Sequence, residues 1–230
     1  MELHSVRVHP ADRPPAREDQ LAWKLAERAA AHPEVVSEVI KMVENRIVDS
    51  FGVAVAALNR EPVRAARSQA AAHSYEPGAA VIGHPQTDTV SPEWAAWANG
   101  TAIRELDFHD TYLAADYAHP ADTIAPILAV CQHTGRSGAD LLRGILAGYE
   151  TQISLVKGIC LHEHAIDHPA HLGPAQAAGI GAALDLDAST IYQAIQHAVH
   201  VSFATRQGRK GLISSWKANA PGHTGKLAVE

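Results

Sequence analysis

The 230-residue sequence has only two cysteines, few aromatic residues and no long apolar run. Two cysteines cannot build a disulfide framework, and they cannot supply the four thiolates of a typical iron–sulfur cluster. Because no stretch of 18 apolar residues occurs, we expect no membrane-spanning helix and no membrane partner. The first 20 residues also lack the apolar core of an export signal, which favours a cytoplasmic location.

The chain also lacks an excess of basic residues. Lys and Arg total 19 against 25 Asp and Glu, which gives a formal net charge of -6. A phosphate-binding surface needs concentrated Lys and Arg, so this balance argues against a nucleic-acid partner. Hydrophobic residues make up 47% of the sequence, which excludes a disordered chain. The length suits one large domain or two small ones.

Helical periodicity dominates the rest of the sequence. The pattern predicts helices from about residue 18, from residue 34 through Phe51, over residues 61–73, after Ser91 and Pro92, over residues 121–133, 139–157, 174–184 and 188–204, and from residue 220. The sequence also predicts one short strand, over residues 79–83. The sequence therefore predicts a mainly α fold, a helical bundle over residues 18–230, preceded by a flexible N-terminal arm over residues 1–17.

One helical segment carries a further expectation about packing. After Ser50 the second helix is apolar on all sides, so we expect its C-terminal half to be buried. Gly52 lies inside this segment, where glycine costs roughly 1 kcal/mol relative to alanine. A close approach of another helix would explain a glycine there.

A first polar segment separates two apolar helices at residues 105–120. It contains Asp107, His109, Asp110, Thr111 and His119. An aspartate beside a histidine can orient the imidazole and tune its pKa, as an acid/base catalyst requires. The alternative is a loop whose Asp and Thr side chains cap the neighbouring helices. The density of polar side chains is unusual for capping alone.

A second polar segment holds four histidines in ten residues, at positions 162, 164, 168 and 171. His164 and His168 have the i,i+4 spacing of two metal ligands on one helix face, but Pro169 disfavours helix at His168. The HExxH order of zinc-binding helices is also absent, so a metal site is not the favoured interpretation of these histidines. The remaining interpretations are acid/base or carboxylate-binding histidines, or histidines with a structural or surface role.

A third segment is rich in basic residues and glycine. It contains Arg206, Arg209, Lys210 and Lys217. Arginine suits bidentate recognition of carboxylates, and glycine lets backbone N–H groups approach an anion. An anionic small molecule is therefore the favoured partner, and a solvated basic loop is the alternative. No Gly-rich phosphate loop and no Gly-x-Ser-x-Gly motif occur, and we expect no cofactor.

These segments together resemble the MmgE/PrpD family. The matching stretches are residues 43–53, 99–122, 148–150, 166–168 and 190–217. The resemblance implies a helical-bundle main domain, a smaller α+β lid domain, and a homodimer without an iron–sulfur cluster. It also implies a hydro-lyase that eliminates water from a tricarboxylate, 2-methylcitrate, to give 2-methyl-cis-aconitate in propionate catabolism. Decarboxylation of cis-aconitate, or another lyase activity of the family, is the alternative.

The resemblance also assigns roles to individual residues. It implies catalytic roles for Asp107, His119 and His168, with proton transfer shared between the two histidines. It implies substrate binding by Thr111 and by a basic residue, for which Lys217 is the candidate, while Lys210 and His223 are alternatives. His171 is the alternative to His168. Arg206 and Arg209 are further candidate anchors for substrate carboxylates.

Members of the family are roughly twice as long as this chain. The resemblance therefore predicts that this chain is the N-terminal portion of a longer protein, that it lacks the smaller lid domain and that its activity is impaired. An inactive helical fragment or a dimerisation module is the non-enzymatic alternative.

Overall fold

The protein, described by a computed structural model over residues 4–230, is built mainly from α-helices. The helices of this range are α1 Leu21–Ala30, α2 Ser37–Ala56, α3 Glu61–Ala71, α4 Pro92–Glu105, α5 Ile124–Thr134, α6 Gly138–Gly158, α7 Pro169–Ala183, α8 Ala188–Ser202 and α9 Trp216–Val229. The strands are β1 Ser74–Ala79, β2 Tyr112–Leu113 and β3 Tyr117–Ala118, and β2 pairs with β3 in antiparallel register. The predicted mainly α fold is confirmed.

Two helices begin earlier than the sequence pattern predicts. α7 begins at Pro169 rather than near residue 174, and α9 begins at Trp216 rather than near residue 220. Each has a proline inside its first two turns, Pro174 and Pro221 respectively. Proline lacks the N–H that an interior position donates, so a helix pattern is expected to begin at such a residue rather than cross it. The predicted strand also lies earlier, because β1 ends at Ala79.

α7 is the central helix, and every one of its residues is buried. It packs against α6, α8 and α9. The contact with α6 is a crossing of small residues, because a Cβ on Gly144 would lie 2.7 Å from the Ala183 Cβ and 2.7 Å from the Gly179 carbonyl oxygen. Only glycine permits this backbone distance, which lets α6 and α7 cross closely.

The second half of α2 is less buried than predicted. Val43, Ser50 and Ala54 face the core, whereas Val55 is 56% exposed. A Cβ on Gly52 would meet nothing within 4 Å, so no helix approaches there and the expected close contact is wrong. An apolar composition on all sides of a helix does not reveal which side the rest of the fold covers.

The N-terminal part of the predicted arm, residues 1–3, lies outside the described residues. Residues 4–16 form no helix or strand. The Arg17 guanidinium lies 4.1 Å from the ring centroid of Trp23 and 4.8 Å from that of Tyr192, which attaches the end of this segment to α1 and α8. Within residues 4–230, none of the helices combines the length and the apolar character needed to cross a bilayer.

Two glycine substitutions test this packing. Gly144→Ala should lower the free energy of unfolding by about 1–3 kcal/mol, because the methyl group collides with α7. Gly52→Ala is the matched control in an open helical position and should raise it by about 0.5–1 kcal/mol. Urea denaturation of both variants measures the difference. Equal effects would show that the α6–α7 crossing is not tightly packed.

Candidate active site

The first polar segment begins with a tight turn after α4. Asp107 adopts a left-handed backbone conformation, with φ 57°, which aspartate tolerates better than most residues. Its carboxylate lies 2.8 Å from Lys217 Nζ at the start of α9 and 3.4 Å from Arg104 Nε. Burial acts to raise the pKa of Asp107, but the hydrogen bond from Lys217 and the charge of Arg104 lower it overall. The turn therefore holds an ionised carboxylate between two cations.

His119 lies at the end of β3, and its tautomer follows from its contacts. Nδ1 is 2.9 Å from the Asp110 carbonyl oxygen and 3.2 Å from Thr111 Oγ1. A carbonyl oxygen only accepts, so Nδ1 carries the proton and donates it. The lone pair is then on Nε2, which forms no hydrogen bond within residues 4–230. Thr111 thus contacts the histidine directly, as well as being a predicted substrate ligand.

A buried ion network lies behind His119. Asp122 Oδ2 accepts from Arg104 Nη1 at 3.0 Å, and Asp122 Oδ1 lies 3.1 Å from His109 Nε2. All three residues are at least 96% buried. The His109 ring stacks on the His119 ring with 4.7 Å between centroids. Burial acts to raise the pKa of Asp122, but Arg104 and His109 hold it well below its usual range.

The sequence pattern does not single out Arg104 or Asp122 as site residues, and it gives His109 only as a member of the first polar segment. Arg104 is the informative case, because it is a lone cation in the last turn of an alanine-rich helix most of whose residues are buried. A buried charge requires a partner. An arginine in such a position therefore signals a buried carboxylate, although the sequence does not reveal which one.

The environment of His119 favours a neutral imidazole. Burial, reinforced by the charge of Arg104, lowers the pKa of His119 to about 4. At neutral pH the residue therefore has an unprotonated Nε2 and can accept a proton.

The second polar segment presents a different histidine environment at the start of α7. His168 Nδ1 lies 3.1 Å from Asp167 Oδ1, and Asp167 Oδ2 lies 3.3 Å from Arg209 Nε. His168 Nε2 is buried and has no hydrogen-bond partner within residues 4–230. Burial lowers the pKa of His168, the hydrogen bond to Asp167 opposes this, and Arg104 lowers it further. Arg209, a predicted substrate anchor, is therefore held by Asp167.

α7 connects the two segments. Gln176 Nε2 donates to the Asp122 carbonyl oxygen at 3.0 Å, which fixes the helix against the 3-10 turn Pro120–Thr123. The effect of the Arg104 charge on His168 shows that the two segments are electrostatically coupled. His171, three residues beyond His168, is 97% buried, and neither of its ring nitrogens has a partner within residues 4–230. Burial lowers the pKa of His171 to about 4.

The predicted site residues therefore fall into three sets. Around the first polar segment Thr111 contacts His119 and Lys217 contacts Asp107. His168 and His171 lie in the second segment, where Asp167 holds Arg209. Arg206 is half-buried and Lys210 is exposed, and neither side chain forms a hydrogen bond or ion pair within residues 4–230. The roles of all these residues stay predictions.

One group of metal-ligating side chains occurs inside this site. Asp107, His109 and His119 each place one ligand atom within 4.8 Å of the other two. However, Lys217 and Arg104 already neutralise Asp107, and His109 is engaged with Asp122. The two neighbouring cations disfavour a metal ion at this position, and the chemistry of the site is that of neutral imidazoles beside lysine and arginine.

The neutral histidines make stability depend on pH. As the pH falls from 6.5 to about 4, the unfolded chain binds a proton at His171 that the folded protein does not bind, so stability decreases in this window. His171→Asn should reduce the slope of unfolding free energy against pH there by about 1.4 kcal/mol per pH unit. Urea denaturation at a series of pH values measures the slope. An unchanged slope in His171→Asn would contradict the burial of a neutral imidazole.

Comparison with known proteins gives a consistent assignment. A family model described as the MmgE/PrpD N-terminal domain matches residues 19–230. The mitochondrial 2-methylcitrate dehydratase of Yarrowia lipolytica is 32% identical over 126 residues, which cover 50% of this chain and 24% of that protein. The cis-aconitate decarboxylase of Mus musculus is 29% identical over 146 residues, or 61% of this chain and 29% of that protein.

The probable 2-methylcitrate dehydratase of Saccharomyces cerevisiae is 28% identical over 146 residues, which cover 56% of this chain and 28% of that protein. In each of these comparisons the matched part spans less than a third of the length of the relative.

Proposed function

Because the chain belongs to the MmgE/PrpD family, we propose that it acts as a lyase that eliminates water from 2-methylcitrate to give 2-methyl-cis-aconitate. The observation that carries the proposal is the pair of histidines His119 and His168. Each has its Nδ1 hydrogen-bonded to an oxygen and its Nε2 free of any partner within residues 4–230. The names of the relatives from Yarrowia lipolytica and Saccharomyces cerevisiae support this substrate.

Dehydration of a tricarboxylate needs one base and one acid. The base removes a proton from the carbon next to a carboxylate, and the acid protonates the departing hydroxyl group. We assign the role of base to His119, because burial and the charge of Arg104 keep its imidazole neutral and the lone pair lies on Nε2. We assign the role of acid to His168, because its Nδ1 is hydrogen-bonded to the Asp167 carboxylate, which opposes the lowering of its pKa by burial. The bound tricarboxylate adds negative charge that favours a protonated His168.

Lys217 is the candidate anchor for a substrate carboxylate. Its side chain is 37% exposed, and its contact with Asp107 is an ion pair on the accessible side of the site. A substrate carboxylate can share this cation, since the ammonium group has three donors. Arg104 remains buried with Asp122 and contributes a fixed positive charge that stabilises the developing enediolate.

Decarboxylation is the second candidate activity, because the cis-aconitate decarboxylase of Mus musculus is also a relative of this chain. The same histidines and cation suit both reactions. Product analysis by NMR separates them: loss of water from 2-methylcitrate supports the proposed dehydration, whereas release of carbon dioxide from cis-aconitate supports the alternative.

We also propose a homodimer in the cytoplasm that acts in propionate catabolism. Exposed apolar side chains on α2 and beside the site support an interface, among them Val48, Val55, Phe108, Leu212 and Ile213. Cys131 and Cys160 are both free thiols, which supports a reducing compartment. Light scattering of the purified protein should give twice the monomer mass, and a monomer mass would contradict the dimer.

Substitution of the proposed base tests the assignment. His119→Ala should lower kcat/KM for 2-methylcitrate by about 10²–10⁴-fold, because it removes one proton-transfer group. Lys217→Met should mainly raise KM, because it removes a carboxylate contact. His164→Ala, at an exposed position of the second segment, is the matched control and should keep normal turnover.

Circular dichroism of each variant establishes that it is folded. Normal turnover of a folded His119→Ala protein would contradict its role as base. A folded parent protein that neither binds nor dehydrates 2-methylcitrate would contradict the proposed activity and favour a helical domain without catalysis.

A further inference from the structure

A second cluster of ligand-type side chains lies outside the proposed catalytic set. Asp116, Cys160 and His162 each place one ligand atom within 4.8 Å of the other two. Asp116 lies in the turn between β2 and β3, Cys160 follows α6, and His162 begins the 3-10 turn His162–His164. A thiol, an imidazole and a carboxylate therefore converge from two separate segments of the chain.

Two of the three ligands are already oriented. Asp116 is 93% buried, and its carboxylate accepts hydrogen bonds from the backbone N–H groups of Leu161 at 2.8 Å and Tyr117 at 2.9 Å. His162 Nδ1 contacts Asp116 Oδ1, and its ring lies 4.6 Å from that of Tyr117. Such supporting hydrogen bonds around a ligating carboxylate are typical of metal sites, since they fix the direction of its lone pairs.

The charges around this cluster favour a cation. Within residues 4–230, no lysine or arginine forms an ion pair with Asp116, whose one ion-pair partner is His162. The Asp107 cluster differs in this respect, since Lys217 and Arg104 both contact its carboxylate. A cation bound at Asp116 would meet a carboxylate and a potential thiolate without a competing positive side chain.

The ligand set selects the kind of ion. Sulfur and imidazole nitrogen with one carboxylate suit zinc and similar transition metals, whereas magnesium and calcium prefer oxygen ligands throughout. Zinc–ligand bonds of about 2.0–2.3 Å in a tetrahedron place the ligand atoms roughly 3.3–3.7 Å apart. The three ligand atoms lie within 4.8 Å of one another, so small side-chain rotations that replace the hydrogen bond between His162 Nδ1 and Asp116 Oδ1 would bring them to bonding distance of one ion.

We propose that Asp116, Cys160 and His162 form a binding site for a zinc-class transition-metal ion, with water as the fourth ligand. On binding, the Cys160 thiol releases its proton to solvent, and His162 binds through Nδ1 with its proton on Nε2. The ion joins the β2–β3 turn to the segment that leads to His168. It therefore links the two polar segments, although it takes no part in the proposed reaction.

A cobalt titration tests the site directly. Protein treated with chelator and reductant and then titrated with Co²⁺ should develop a thiolate-to-cobalt charge-transfer band that saturates at one ion per chain, and Zn²⁺ should remove it. Cys160→Ser should abolish the band, and His162→Ala should weaken Co²⁺ binding by at least about tenfold. Cys131→Ser and His164→Ala are the matched controls and should bind as the parent does.

Thermal melting gives a second measurement, which does not depend on the thiolate-to-cobalt absorption band. Zn²⁺ should raise the Tm of the parent protein and of both controls, because it binds only the folded site. It should leave the Tm of Cys160→Ser unchanged. The absence of a band in the folded parent, or an equal band or Tm increase in Cys160→Ser, would overturn the proposal. Neither measurement requires lyase activity, so failure here is distinct from failure of the proposed function.

Discussion

The buried ion pair between Arg104 and Asp122 is the interaction on which the site depends. Both side chains are at least 98% shielded from solvent, so each charge requires the other. Removing one partner of such a pair typically costs about 3–5 kcal/mol, because the remaining charge is left uncompensated. The pair fixes the end of α4 against the 3-10 turn Pro120–Thr123 and positions His109 beneath His119. A single buried pair thus sets both the fold and the charge of the site.

Helix packing supplies the second half of the site. α7 lies closely against α6 because Gly144 and Gly179 allow their backbones to approach, and this same helix begins directly after His168 and contains His171. Gln176 then joins α7 to the Asp122 carbonyl oxygen. The distance between the α6 and α7 backbones therefore affects the polar site, because a change that shifts α7 also alters the distance between the two histidine segments.

Local patterns predicted much of this structure, and long-range pairing accounts for the rest. The mainly α fold follows from helical periodicity, and the density of polar side chains marks both histidine segments. The pattern does not identify the partner of Arg104, because the pairing with Asp122 depends on how α4 meets the turn after β3. The proximity of Cys160 to Asp116 is likewise not apparent from the sequence, because only the folded chain brings the β2–β3 turn to the end of α6. Gly52 shows the converse: a residue typical of close packing occupies an open surface.

The two histidines differ in environment although each has a hydrogen-bonded Nδ1. Burial and the charge of Arg104 lower the pKa of His119 and favour its neutral form, although Nδ1 donates to a carbonyl oxygen. His168 donates to the Asp167 carboxylate, which stabilises its charged form against burial. Burial lowers the pKa of both imidazoles, and what distinguishes His168 is the carboxylate bonded to its Nδ1, which can stabilise an imidazolium there when a proton is transferred. The division of roles therefore arises from the neighbours of each imidazole, and Arg104 contributes to both because its charge acts on His119 and His168 alike.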